Sequence, residues 1–207
     1  MAILALNFRP SARAPRPRRR EPGLRAFVLA AIMLVAGGTL GTLAGFTAEA
    51  PPSEYQVKAA FLINFPKYAE WPAEAFAETN SPIVIATLGE TKVTAELQKL
   101  ILGRTVNGRE IVLKSLATGE EPGVCHILFI SAAGQQHSPG LLAKLNRTGI
   151  LTVGESDAFL ESGWILNLAR RDQKIGLEVN LDAASSSRIK ISSKLLSVAN
   201  VVKGKSK

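Results

Sequence analysis

Three stretches of the chain, Ile83 to Leu88, Cys125 to Ile130 and Ile150 to Val153, run apolar and β-branched almost without interruption. A strand with one face in water alternates apolar and polar side chains, so a run that does not alternate has to be covered on both faces. Segments of helical periodicity lie between these runs and supply the cover. The alternation predicts an α/β sandwich with a largely parallel central sheet, an antiparallel edge hairpin and helices on both faces, built on roughly five to seven strands.

The pattern before the first run is helical. Ser53 is a good N-cap, and Val57, Phe61, Phe65 and Tyr68 follow at spacings of four, four and three, which places them on one helix face. This predicts a helix to about Glu70, kinked or shortened by Pro66 and ended by Pro72. A second helix is expected through Val93, Leu97, Leu100 and Ile101, closed by Gly103. Asn107-Gly108 between Thr105-Val106 and Ile111-Val112-Leu113 is a two-residue hairpin signal. Ser138-Pro139 supplies an N-cap and first-turn proline for a helix ending near Gly149, and Glu155 to Glu161 reads as helical. Trp164, Leu166 and Leu168 alternate with more polar residues, as do Ile175, Leu177 and Val179. They flank the turn Arg170-Arg171-Asp172-Gln173 and predict an antiparallel hairpin with one polar face. A last helix is expected after Ser192, carrying Leu195, Leu196, Ala199 and Val202.

The N-terminal segment has a different character. Seven arginines stand against Glu21 and Glu49 in residues 1 to 50, which accounts for +5 of the chain's net charge of +8. Behind the arginines, Ala26 to Ala48 is 23 residues without a charge. That order, positive then apolar, is that of a secretory signal, with Ala48-Glu49-Ala50 as a cleavage motif. The uncharged stretch is also long enough to span a bilayer of about 30 Å as a signal anchor. Residues 1–50 are therefore read as a signal peptide or signal anchor, and residues 51–207 as one α/β domain outside the cytoplasm. The domain itself is nearly balanced in charge, which argues against nucleic acid as a partner.

The supply of reactive residues is short. There is no glycine-rich phosphate loop of dinucleotide or Walker type and no Gly-x-Ser-x-Gly elbow. Two histidines, His126 and His137, without a carboxylate cluster make a poor metal site, and Cys125 is the only cysteine. No catalytic set, metal site or cofactor is expected, and Cys125 is expected to be buried and redox-silent. Asn64, Asn167, Asn180, Arg188 and Lys194 are polar residues where apolar ones would be easier to place. Each asparagine either ties down a neighbouring backbone group or belongs to a ligand site. The aromatic group Phe65, Tyr68 and Trp71 is either core or a contact surface for a partner.

The segments Tyr55-Gln-Val-Lys-Ala-Ala-Phe-Leu-Ile-Asn-Phe with Glu70-Trp71-Pro72, Cys125-His-Ile-Leu-Phe-Ile, Leu151-Thr-Val-Gly, and Gly163 through Glu178-Val-Asn-Leu-Asp-Ala-Ala to Lys190-Ile-Ser-Ser-Lys-Leu-Leu resemble the YfiR family of periplasmic regulatory proteins, over nearly all of residues 54 to 202. The chain departs from the family pattern at Pro66, at Trp164 after Gly163, and at Cys125, which lacks the partner cysteines of several relatives. The resemblance implies a non-enzymatic repressor that binds the periplasmic part of an inner-membrane diguanylate cyclase and limits cyclic di-GMP synthesis. Another membrane sensor, such as a histidine kinase, is an alternative partner, and a homodimer an alternative assembly. A different class of function also fits: a periplasmic small-molecule binding module with a pocket lined by Asn167, Asn180 or Arg188.

Overall fold

The computed structural model describes residues 51–202 apart from 90, 138–139, 146–148 and 173. The readings made for residues 1–50 and for the Ser138-Pro139 cap lie outside the described residues. The described residues belong to a compact unit, Ala50–Lys207.

Helix α1 (Glu54–Asn64) starts where the sequence places it. Gln56 N donates to Ser53 Oγ at 3.3 Å and Ser53 N donates to Gln56 Oε1 at 2.8 Å, a reciprocal capping box. It ends earlier than expected. Pro66 has no N–H to continue the ladder, so the chain tightens into a 3-10 turn at Phe65–Lys67 and enters strand β1 (Ala69–Glu70) instead of running helical to Glu70. Strand β2 (Ile83–Leu88) and helix α2 (Lys92–Ile101, capped by Thr91) follow as predicted. Strands β3 (Thr105–Val106) and β4 (Arg109–Leu116) form the expected hairpin, with φ of 53° at Asn107 and 77° at Gly108, the two positive values that its tight turn demands.

Beyond β4 come β5 (Ile127–Ile130), the short helices α3 (Ala132–Gln136) and α4 (Leu141–Leu145), and β6 (Leu151–Gly154). The region expected to be helical at 155–161 is a series of turns ending in a 3-10 turn at Leu160–Ser162. A reason is visible in the packing: Phe159 lies flat over Gly154, where an added Cβ would meet its ring at 2.2 Å. Strands β7 (Leu166–Arg171) and β8 (Lys174–Asn180) make the predicted hairpin, with Arg170 and Arg171 in the strand and not in the turn. Its first strand lacks the expected polar face, since Leu166, Asn167, Leu168 and Ala169 are all buried.

The C-terminal part differs most from expectation. After α5 (Leu181–Ser186) and β9 (Lys190–Ile191), α6 (Ser193–Leu196) lasts a single turn and Ala199–Val202 is strand β10, parallel to β8. β9 leaves the crossover to pair antiparallel with β1, Ala69 opposite Ile191. Among the described residues the main sheet thus has eight strands, in the order β10-β8-β7-β6-β5-β2-β4-β3, more than the sequence suggested, and only β8/β7 and β4/β3 are antiparallel. One face carries Ile85, Phe129, Val153 and Leu168 under α1 and α2, joined by Ala184 and Leu195 of the crossover. The other carries Ala86, Leu128 and Ile130 under α4 and the Phe159 turn. This is the expected α/β sandwich.

Candidate functional site

Helix α1 is apolar on two sides. Ala59, Leu62 and Ile63 are buried in the core, while Val57, Ala60 and Phe61 face a cleft. That cleft, about 640 Å³, lies between α1 and the single turn of α6, with Pro52 and Tyr68 also in its lining. Leu195 and Val198 form the far wall, and Val198 is 71 % exposed. α6 stops after one turn, short of the helix that its sequence suggested, and Leu195 within it and Val198 just past it line the cleft.

Of the residues singled out from sequence, the fold brings Asn64, Phe65, Tyr68 and Lys194 together around this cleft. Asn64 donates to Ala60 O at 2.8 Å and accepts from Lys67 Nζ at 2.8 Å, so it serves the helix end and holds a lysine at the rim. Lys194 is exposed on α6. Phe65 forms floor rather than surface, being buried. Trp71 is elsewhere: its Nε1 donates to His126 O at 3.2 Å and its ring meets Phe76 and His126 edge-on.

The remaining polar candidates are not at the cleft. Asn180 caps α5 by accepting from Ala183 N at 3.0 Å, the backbone role that an asparagine at a strand-to-helix junction performs. Asn167 is fully buried and donates to Glu178 Oε2 at 2.9 Å, while its Oδ1 has no hydrogen-bond partner. Glu178 in turn accepts from Arg171, which also reaches Asp157. Arg188 sits exposed in the turn after α5 with φ of 58°. The sequence reading passed over Val57 and Phe61 as contact residues because their spacing matched a core face; the rival stripe at Ala59, Leu62 and Ile63 was the available signal.

A second cleft of about 700 Å³ shares Pro52, Val57 and Phe61 with the first and extends to Arg170, Lys174 and Ile175 on the β7–β8 hairpin. Among the described residues Glu54 is the only carboxylate lining either cleft, and it is engaged by Lys58 at 2.5 Å and Arg170 at 3.1 Å. Hydrogen bonding to Lys58 foremost holds the Glu54 carboxyl below its usual range despite partial burial. Beyond the Glu54–Arg170 pair, the charged residues lining the clefts are cationic: Lys194 in the first and Lys174 in the second.

Among the described residues no group of three or more His, Cys, Asp or Glu is placed to hold a metal ion. Cys125 is buried, and burial pushes its thiol up to about 12, away from the thiolate that reactivity needs. No helix among the described residues is long and apolar enough to cross a membrane. What the site offers is an open, largely apolar concavity with cations at its rim. Compared with known families, residues 55–200 match a family model described as YfiR/HmsC-like. No curated protein matches the chain.

Proposed function

The chain belongs to the YfiR/HmsC-like family, which comprises periplasmic regulators of cyclic di-GMP signalling rather than enzymes, and from that premise we propose that it binds the periplasmic part of an inner-membrane diguanylate cyclase and represses it. The observation that supports this reading is the cleft beside α1. A solvent-open concavity carrying Phe61, Val57 and Val198 is apolar surface that a monomeric domain ordinarily buries unless something docks there. Residues 1–50 export the domain to the compartment where such a partner is reachable.

Deleting the gene should raise cellular cyclic di-GMP and surface adhesion, and an exported copy should restore both. Unchanged cyclic di-GMP on deletion, with no membrane cyclase retained by the purified protein, would sink the repressor reading. The cleft volume also falls in the range of small-molecule sites, which favours a second reading as a ligand-controlled module. Thermal stabilisation by a small molecule in the absence of any partner would select it.

A further inference from the structure

The two clefts beside α1 adjoin one another, with Pro52, Val57 and Phe61 in the lining of both, and are taken together as a groove. Eleven helical residues at 1.5 Å each make α1 about 16 Å long, so a second helix lying along it would meet it over about three turns. Its floor along α1 consists of two rows at fourfold spacing, Gln56-Ala60-Asn64 and Val57-Phe61-Phe65. Such rows are the ridges between which the side chains of a second helix seat, and the small Ala60 lets a neighbour approach closely.

The fold leaves this place vacant for an identifiable reason. A crossover between parallel strands usually lays a full helix on the sheet. Between β8 and β10 the crossover is broken into α5 of six residues and α6 of four, with β9 diverted to β1. The roof beside α1 is short by the rest of a helix. The charge lining the vacancy is one-sided, with Lys174 in one cleft and Lys194 in the other, while Glu54 is already held by Lys58 and Arg170.

We propose that the groove beside α1 receives an amphipathic helix of the partner, its apolar face on Val57, Phe61 and Val198 and carboxylates on its flanks meeting Lys174 and Lys194. This rests on the regulator reading for the identity of the partner, but not for the binding chemistry. It explains why an apolar surface is tolerated here and why cations border it.

The test uses the full chain, purified as the cell leaves it, and synthetic probes followed by fluorescence anisotropy. The first probe is a stapled helix of roughly 18 residues, with Leu at three-and-four spacing and Glu on the flanks. The second has Lys in place of Glu, the third is broken by two central prolines, and decanoate is the fourth. The acidic helix should bind at least about tenfold more tightly than the basic one, weaken with added salt, and lose its binding in Val198→Glu and in Lys194→Glu. Both substitutions are at exposed positions and should leave the melting temperature in place. Equal binding of the proline-broken peptide would overturn the proposal in favour of an extended segment. Decanoate binding without the helix would overturn it in favour of a lipid-like ligand, and no preference for acidic flanks would overturn the charge complementarity. In cells, the paired change Lys174→Glu with Lys194→Glu should release cyclic di-GMP as deletion does. If deletion itself has no effect, the regulator reading fails while the peptide result still decides the groove.

Discussion

His126 is held as a neutral ring by two neighbours of opposite character. Its Nδ1 accepts from Val84 N at 3.0 Å, and its Nε2 lies 3.0 Å from Ala75 O, an acceptor, so Nε2 carries the proton. Phe76 stacks on the ring at 4.4 Å with the Arg109 guanidinium on its other side. Burial, and secondarily the Arg109 charge, lowers the His126 pKa. A lowered folded pKa means that the unfolded chain binds the extra proton first as pH falls. The stability it contributes is full above about pH 6.5, the unfolded value, and is lost as pH drops from there toward the folded one. Unfolding midpoints measured in urea should therefore fall between pH 7.5 and 5.5, and the slope should flatten in His126→Gln, whose amide can make both hydrogen bonds without titrating. Lys58 is a second buried polar residue with a structural task. Burial alone would lower its pKa, but hydrogen bonds to Glu155 and Glu54 outweigh this and leave it raised. Replacing it with Met removes the ion-pair partner of Glu155 and leaves Glu54 to Arg170 alone, and should cost about 2 kcal/mol by chemical denaturation, with little change in the m-value. Neither role was readable beforehand. His126 is assigned by where Val84 and Ala75 fall in space, and Lys58 by Glu155, 97 positions away.

At the level of elements, the strands were legible and the last helix was not. Ile83–Leu88 and Ile127–Ile130 announced themselves because a strand covered on both faces needs apolar residues throughout. Asn107-Gly108 was equally clear, since few residues accept its backbone angles. Ser192 to Val202 carried a helical spacing of apolar residues, yet after one turn the chain becomes β10. Val201 and Val202, β-branched and within reach of the open edge of β8, gain a ladder of hydrogen bonds there that a helix end could not match. The site was half legible for a related reason: α1 carries two apolar stripes, and periodicity alone does not tell which faces the sheet. Gly154, at the end of β6, gives the sharpest test of element packing. Gly154→Ala would place a methyl inside the Phe159 ring and displace the stack of Phe159 on Trp164, whose centroids are 5.1 Å apart. Overpacking of this kind should cost roughly 1–3 kcal/mol, visible as a lowered melting temperature with loss of near-ultraviolet aromatic signal.

For the molecule as a whole, the resemblance reached from scattered segments and the family match agree on residues 55–200, because those segments are the ones that build the sheet and its helices. Removing residues 1–50 should leave a domain that folds, since the capping box at Ser53 and the core lie beyond them. Such a copy, confined to the cytoplasm, should fail to lower cyclic di-GMP in a deletion strain, while the same domain behind a foreign export signal should succeed. The pairing of β1 with β9 has a further consequence. It ties the segment after α1 to the segment before α6, so the two walls of the cleft come from opposite ends of the described chain and meet only when both are in place. Contacts so distant in sequence form late in folding. A chain lacking either end has no cleft to offer, so a partner bound there, as proposed, would recognise only the completed fold.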